Sequence, residues 1–102
     1  MQLTKLVEDG AVVASLDATE RGPVIRELLE SLALAGRIDD SSVQPLHNAV
    51  MKRERKGSTG FGHGVAVPHA KTDKVSQICI AVGLSTDGVE FNALDRQPVF
   101  AF

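Results

Sequence analysis

The stretch from Arg53 to Lys74, RERKGSTGFGHGVAVPHAKTDK, gathers the residues whose types and spacing can do chemistry. His69 follows Pro68 directly after Val65, Ala66 and Val67, a short apolar run that reads as a buried strand stopped by proline. A side chain at such a strand end is held rigidly at the rim of a sheet, where α/β proteins keep their reactive groups. Neutral imidazole is a nucleophile that needs no separate activating base at neutral pH. The same placement also suits a histidine that is merely hydrogen-bonded within the fold. Upstream, Arg53 sits in the basic run Lys52, Arg53, Arg55 and Lys56. A guanidinium there can hold an anionic group in its planar fork, and the whole run equally suits a solvated last helical turn that complements the helix dipole.

Gly57, Gly60, Gly62 and Gly64 separate these two residues. Glycines at this density allow a tight backbone with N–H groups exposed to an anion, and they are also ordinary punctuation between a helix and a strand. The loop lacks the Gly-Lys-Ser/Thr ending of a P-loop, and it opens a strand rather than a helix, so a nucleotide site is not expected. His63 and His69 have no third ligand in view, so no metal and no cofactor is expected. Thr59 can donate to an anion or serve a turn, Cys79 reads as a small core residue within an apolar strand, and His47 reads as structural.

The elements that must position these residues follow from periodicity. Val12 to Leu16 is a candidate strand, and Asp17 to Glu20 supply helix-start signals with Thr19 as the expected N-cap. Val24, Ile25, Leu28, Leu29 and Leu32 then recur at helical spacing, with Pro23 in the first turn and Gly36 at the end. Asp39 to Ser42 cap a second helix whose stripe is Val43, Leu46, Ala49 and Val50 and whose last turn ends before Gly57. Ile78 to Leu84 reads as a buried strand, Asp87-Gly88 as a turn, Val89 to Phe91 as a brief extended piece, and Val99 to Phe102 as the start of another strand. The expected class is α/β, a mixed sheet flanked by helices.

Composition bounds the rest. A chain of 102 residues with 43% hydrophobic and 24% charged residues reads as one domain, residues 1–102, large enough for a core of its own. One cysteine forbids an intramolecular disulfide and points to a reducing, cytoplasmic setting. A net charge of −2 gives no footprint for nucleic acid or anionic membrane. Glu8 and Asp9 precede any apolar run, so neither a signal peptide nor a membrane insertion is expected.

The run Arg53-Glu54, Gly57-Ser58-Thr59-Gly60, Gly62 and Gly64-Val65-Ala66-Val67-Pro68-His69-Ala70-Lys71 resembles the active-site signature of the type-2 EIIA domains of the bacterial phosphoenolpyruvate-dependent sugar phosphotransferase system. Fructose, mannitol and nitrogen-regulatory members belong to that group. Gly88 to Ala93 and Gln97-Pro98-Val99 resemble the hairpin that follows in the family, so the resemblance spans the chain. It implies a phosphotransferase in which His69 accepts a phosphoryl group from HPr or an HPr-like carrier, with Arg53 stabilising that group and His63 and Thr59 as auxiliary candidates. The phosphoryl group then passes to an EIIB domain or serves as a regulatory signal. The other reading is a non-catalytic module that binds a regulatory target protein on the same fold. Relatives continue past this sheet strand to a second active-site histidine and further helices, so the chain is expected to be a fragment or a shortened relative. Its apolar residues Val99 to Phe102 lead to the expectation of a homo-oligomer joined through the C-terminal strand or the uncovered sheet face.

Overall fold

Val24, Ile25, Leu28, Leu29 and Leu32 are all buried, and the helix they define, α1, runs Arg21–Leu34. The computed structural model describes residues 4–5, 8, 10–73 and 78–102; Asp9 and Lys74, named above, lie outside the described residues. The N-cap of α1 is Glu20 rather than Thr19, and it makes no side-chain capping bond. Glu27 explains the difference. Its carboxylate reaches back from the helix to accept the backbone N–H groups of Asp17 (3.0 and 3.1 Å) and Ala18 (2.9 Å), which fixes the entry turn without a cap. Gly36, at φ +76°, ends the helix in the left-handed conformation that glycine adopts without a Cβ penalty.

A 3-10 turn, Asp40–Ser42, leads into α2, Val43–Lys56. Val43, Leu46 and Val50 are buried on its inner stripe, and His47 Nε2 donates to the Gly22 carbonyl at 2.9 Å, tying α2 to α1.

Among the described residues five strands form one mixed sheet: β1 (Ala11–Val13), β2 (Gly60–Gly62), β3 (Val65–Ala66), β4 (Ala81–Val89) and β5 (Val99–Ala101), in the order β1-β4-β5-β3-β2. The β1–β4 and β3–β5 pairs are parallel, and β4–β5 and β2–β3 are antiparallel. Two expectations need correcting. Asp87-Gly88 is not a turn but lies within β4, where the pairing register with β5 shifts between Leu84 and Val89. Gly88 sits at φ +86°, and a Cβ there would stand 2.9 Å from the Phe100 ring and from Pro98, so the turn-forming dipeptide serves as a bulge. The C-terminal strand β5 is flanked by β4 and β3, so its backbone is not an edge open to a second subunit.

α1 packs on β1 and β4, where the bare Gly83 admits Leu28 and Leu16 against the strand. The register Val12↔Val82, Leu84↔Ala101 and Val65↔Ala101 puts these residues on the same face of the sheet, and Val12, Leu84 and Val65 are exposed there. Phe91, fully buried, anchors the core with Phe102 tilted against it at a centroid separation of 5.3 Å. Among the described residues no helix is long and apolar enough to cross a membrane.

Candidate functional site

The glycine-rich stretch is a β-hairpin rather than a plain connection. β2 and β3 pair with Gly60 opposite Ala66 and Gly62 opposite Val65, leaving His63 (φ +58°) and Gly64 (φ +76°) as a two-residue turn with both residues at positive φ, as a mirror-image hairpin turn requires. Asp95 Oδ2 accepts the His63 N–H at 3.2 Å and steadies the tip. On the other side, Ser58 Oγ donates to the Phe91 carbonyl (3.2 Å) and accepts from Gly60 N (3.0 Å), and Leu94 N donates to the Gly60 carbonyl (2.9 Å). These bonds seat the hairpin on the loop that leads to β5.

The base of the hairpin closes where Val67 N donates to the Thr59 carbonyl at 3.2 Å. His69 follows two residues later, exposed, with its Nδ1 2.7 Å from the Val67 carbonyl. A carbonyl only accepts, so Nδ1 carries the hydrogen and the lone pair of the neutral ring resides on Nε2. Arg53, half-buried in the last turn of α2, donates from Nη1 to the Gly57 carbonyl at 2.8 Å. Gly57 precedes Thr59, His69 follows Val67, and Thr59 is bonded to Val67, so Arg53 and His69 are linked through the base of the hairpin. Among the described residues no hydrogen bond or ion pair joins them directly. His63 is placed at the opposite end, on the turn.

Thr59 is 1% exposed, and both its N–H (3.0 Å) and its hydroxyl donate to Oε1 of Glu54, itself 2% exposed. The hydroxyl thus points into the protein, toward α2. Sequence reasoning passed over Glu54 although a signal was present: Val43, Leu46, Val50 and Glu54 continue one helical stripe, so the carboxylate had to lie on the buried face.

Beside His69 opens an apolar trough of about 790 Å³, lined by Leu28, Leu32, Val50, Pro68, His69 and Phe102 among others. Cys79 borders it from the segment just before β4, not from within a strand, with Sγ 3.8 Å from the Arg37 carbonyl.

The family model for the phosphoenolpyruvate-dependent sugar phosphotransferase system, EIIA 2, matches residues 5–102. The chain belongs to the EIIA type-2 family. It is 39% identical over 98 residues to the PTS system fructose-specific EIIABC component of Bacillus subtilis, covering 96% of this chain and 15% of that protein. It is 42% identical over 82 residues to the PTS system fructose-specific EIIA component of Haloferax volcanii, covering 79% of this chain and 51% of that one. The crystal structure of nitrogen regulatory protein IIA-Ntr from Neisseria meningitidis superposes with a TM-score of 0.74 at 27% identity, over 91% of this chain and 61% of that one. The EIIA type-2 chain described here thus spans about half the length of the Haloferax relative and a small part of the Bacillus one. The mixed sheet flanked by α1 and α2 is the EIIA type-2 fold.

Proposed function

We propose that this EIIA type-2 chain is a histidine phosphocarrier. Nε2 of His69 takes a phosphoryl group from HPr or an HPr-like carrier, and the group goes on to an EIIB domain or acts as a regulatory signal. The observation that carries the reading is the 2.7 Å bond from Nδ1 to the Val67 carbonyl on an exposed ring at the hairpin base. In the neutral ring it puts the lone pair on Nε2 and orients it. In the transfer the N–P bond of the donor phosphohistidine breaks, its electron pair stays on the donor imidazole, and the Nε2 lone pair forms the new N–P bond. With the second nitrogen of the donor ring protonated, that ring leaves as neutral imidazole. At the acceptor no proton has to move, because Nδ1–H is already in place, and the Val67 carbonyl offsets the positive charge that the ring gains.

Arg53 supplies the second part. A phosphoryl group in flight spreads negative charge over its equatorial oxygens, and a guanidinium meets them in a planar fork. One of its N–H groups is bonded to Gly57, which holds the side chain at the hairpin base and leaves others to reach the phosphoryl oxygens. The fructose-specific relatives and the nitrogen-regulatory structural neighbour support the relay chemistry common to both, with transport or regulation decided by the downstream acceptor.

The test is incubation with phosphoenolpyruvate, the general phosphotransferase enzyme and HPr. An acid-labile, base-stable phosphohistidine is expected, insensitive to chelators and lost in His69→Ala with the fold intact. Label that persists in that variant, or that maps to His63, refutes the assignment. A folded chain that binds phosphorylated HPr without taking label is the non-catalytic binding module instead.

A further inference from the structure

We infer that Glu54 and Thr59 form a buried clip that positions both halves of the transfer site, an inference that rests on His69 being the phosphoryl acceptor. The clip begins an unbroken hydrogen-bond path. Oε1 of Glu54 accepts from Thr59 N (3.0 Å) and Thr59 Oγ1, the Thr59 carbonyl accepts from Val67 N (3.2 Å), and the Val67 carbonyl accepts from His69 Nδ1 (2.7 Å). Thr59 is therefore pinned on both sides of its backbone, and the carbonyl that sets the His69 tautomer lies one cross-strand bond away.

Two features argue that this arrangement does more than fill space. A carboxylate on the buried stripe of α2 is expensive, since a side chain such as leucine would continue the stripe without desolvating a charge. The expense is only partly offset, because among the described residues no hydrogen-bond partner meets the buried Glu54 Oε2. The strand it grips, on the other hand, is held by backbone bonds alone: β2 is Gly60-Phe61-Gly62, with Phe61 exposed, so no side chain of this strand anchors it in the core. The carboxylate supplies the missing anchor at the residue just before β2. Glu54 is also the neighbour of Arg53 in the last turn of α2, so the Glu54–Thr59 pair ties the guanidinium's helix to the base of the hairpin that carries His69. Neither Glu54 nor Thr59 touches the phosphoryl group; both are positioning residues.

The experiment compares Thr59→Val, which removes the hydroxyl at nearly constant shape, with Thr59→Ser, which restores it. The first readout is the single-turnover rate of transfer from phosphorylated HPr against its concentration. The second is the His69 tautomer, read from its imidazole nitrogen chemical shifts by NMR with no phosphoryl donor present. Thr59→Val is expected to lower the saturating rate roughly 10- to 100-fold, the scale of a misplaced reacting group, and to mix the tautomers. The half-saturating HPr concentration stays within about 2-fold, because docking is untouched. Thr59→Ser returns both readouts to near those of the unaltered chain. A folded Thr59→Val with an unchanged rate and tautomer overturns the inference, and so does a Thr59→Ser as impaired as the valine variant. If Thr59→Val does not fold, Glu54→Gln carries the test: it keeps the accepting oxygen but gives up charge-assisted bonds about twice as strong as neutral ones, so the saturating rate must fall. An unchanged rate there also overturns the clip. Failure of the unaltered chain to take label from HPr would instead refute the acceptor role of His69, whereas the tautomer readout tests the clip without any phosphoryl chemistry.

Discussion

Replacing Gly60 by alanine probes whether the hairpin must sit where it does. An ideal Cβ on Gly60 would stand 2.8 Å from Ala93 Cβ and 3.0 Å from Ala93 Cα, and the second of these is backbone that cannot swing aside. Ordinary carbon contacts lie at roughly 3.5–4.0 Å, so β2 must retreat by the better part of an ångström. That retreat stretches the 2.9 Å bond from Leu94 N to the Gly60 carbonyl. Overpacking of this kind costs about 1–3 kcal/mol, and the weakened backbone bond adds about 1 kcal/mol. The sum, about 2–4 kcal/mol, corresponds to a melting-temperature drop on the order of 10–20 °C for a domain of this size. Gly57→Ala is the matched control, because nothing lies within 4 Å of its ideal Cβ and its backbone is extended at φ 160°. Urea unfolding followed by circular dichroism reads both variants, with an unchanged slope showing that the same surface is exposed. A Gly60→Ala protein as stable as Gly57→Ala would refute the close seating of β2 against Ala93, and with it the account of how the hairpin base is held.

Two further outcomes are expected. Arg53→Lys keeps the charge but loses the fork, so transfer to His69 should slow roughly 10-fold or more, while Lys56→Ala, at an exposed position of the same turn, should change it little; equal losses would reduce the basic run to a diffuse field that attracts HPr. Self-association cannot run through the backbone of β5, so sedimentation at micromolar concentration tests the sheet face bearing Val12, Leu84 and Val65: a dimer that Leu84→Lys dissociates is the expected result, and a monomer at all concentrations refutes it.

The helices were legible because each had a buried stripe and a stop signal: Val24 to Leu32 and Gly36 for α1, Val43 to Val50 and Gly57 for α2. The same stripe carried Glu54 into the interior, a reading available from spacing alone once charge is not assumed to mean surface. β2 was hidden because alternation needs side chains, and its flanking positions are glycines. Gly88 was misread because φ > 0 is demanded by turns and bulges alike, and only the partner strand tells them apart. His69 and Arg53 stood out by residue type, yet what relates them is the Thr59–Val67 closure, a contact between strands with no local sequence signature. The order β1-β4-β5-β3-β2 was equally out of reach, since no periodicity records which strand a later one will enter between.

That insertion has a consequence for how the molecule comes together. Among the described residues the β2–β3 hairpin joins the rest of the sheet through β5: Val65 pairs with Ala101, and the Gly64 carbonyl accepts from Phe100 N (2.9 Å) and Ala101 N (3.0 Å). As the chain leaves the ribosome, His69 and its hairpin emerge well before Val99–Ala101, the strand that will seat them. Until then the His69 hairpin has no place in the sheet beside the β1–β4 pair, and that pairing awaits a contact of long sequence separation, the slow kind of event in folding. In the finished protein the same keystone makes β5 and the hairpin one cooperative unit, so their amides should open to solvent exchange together, ahead of α1 and its buried stripe.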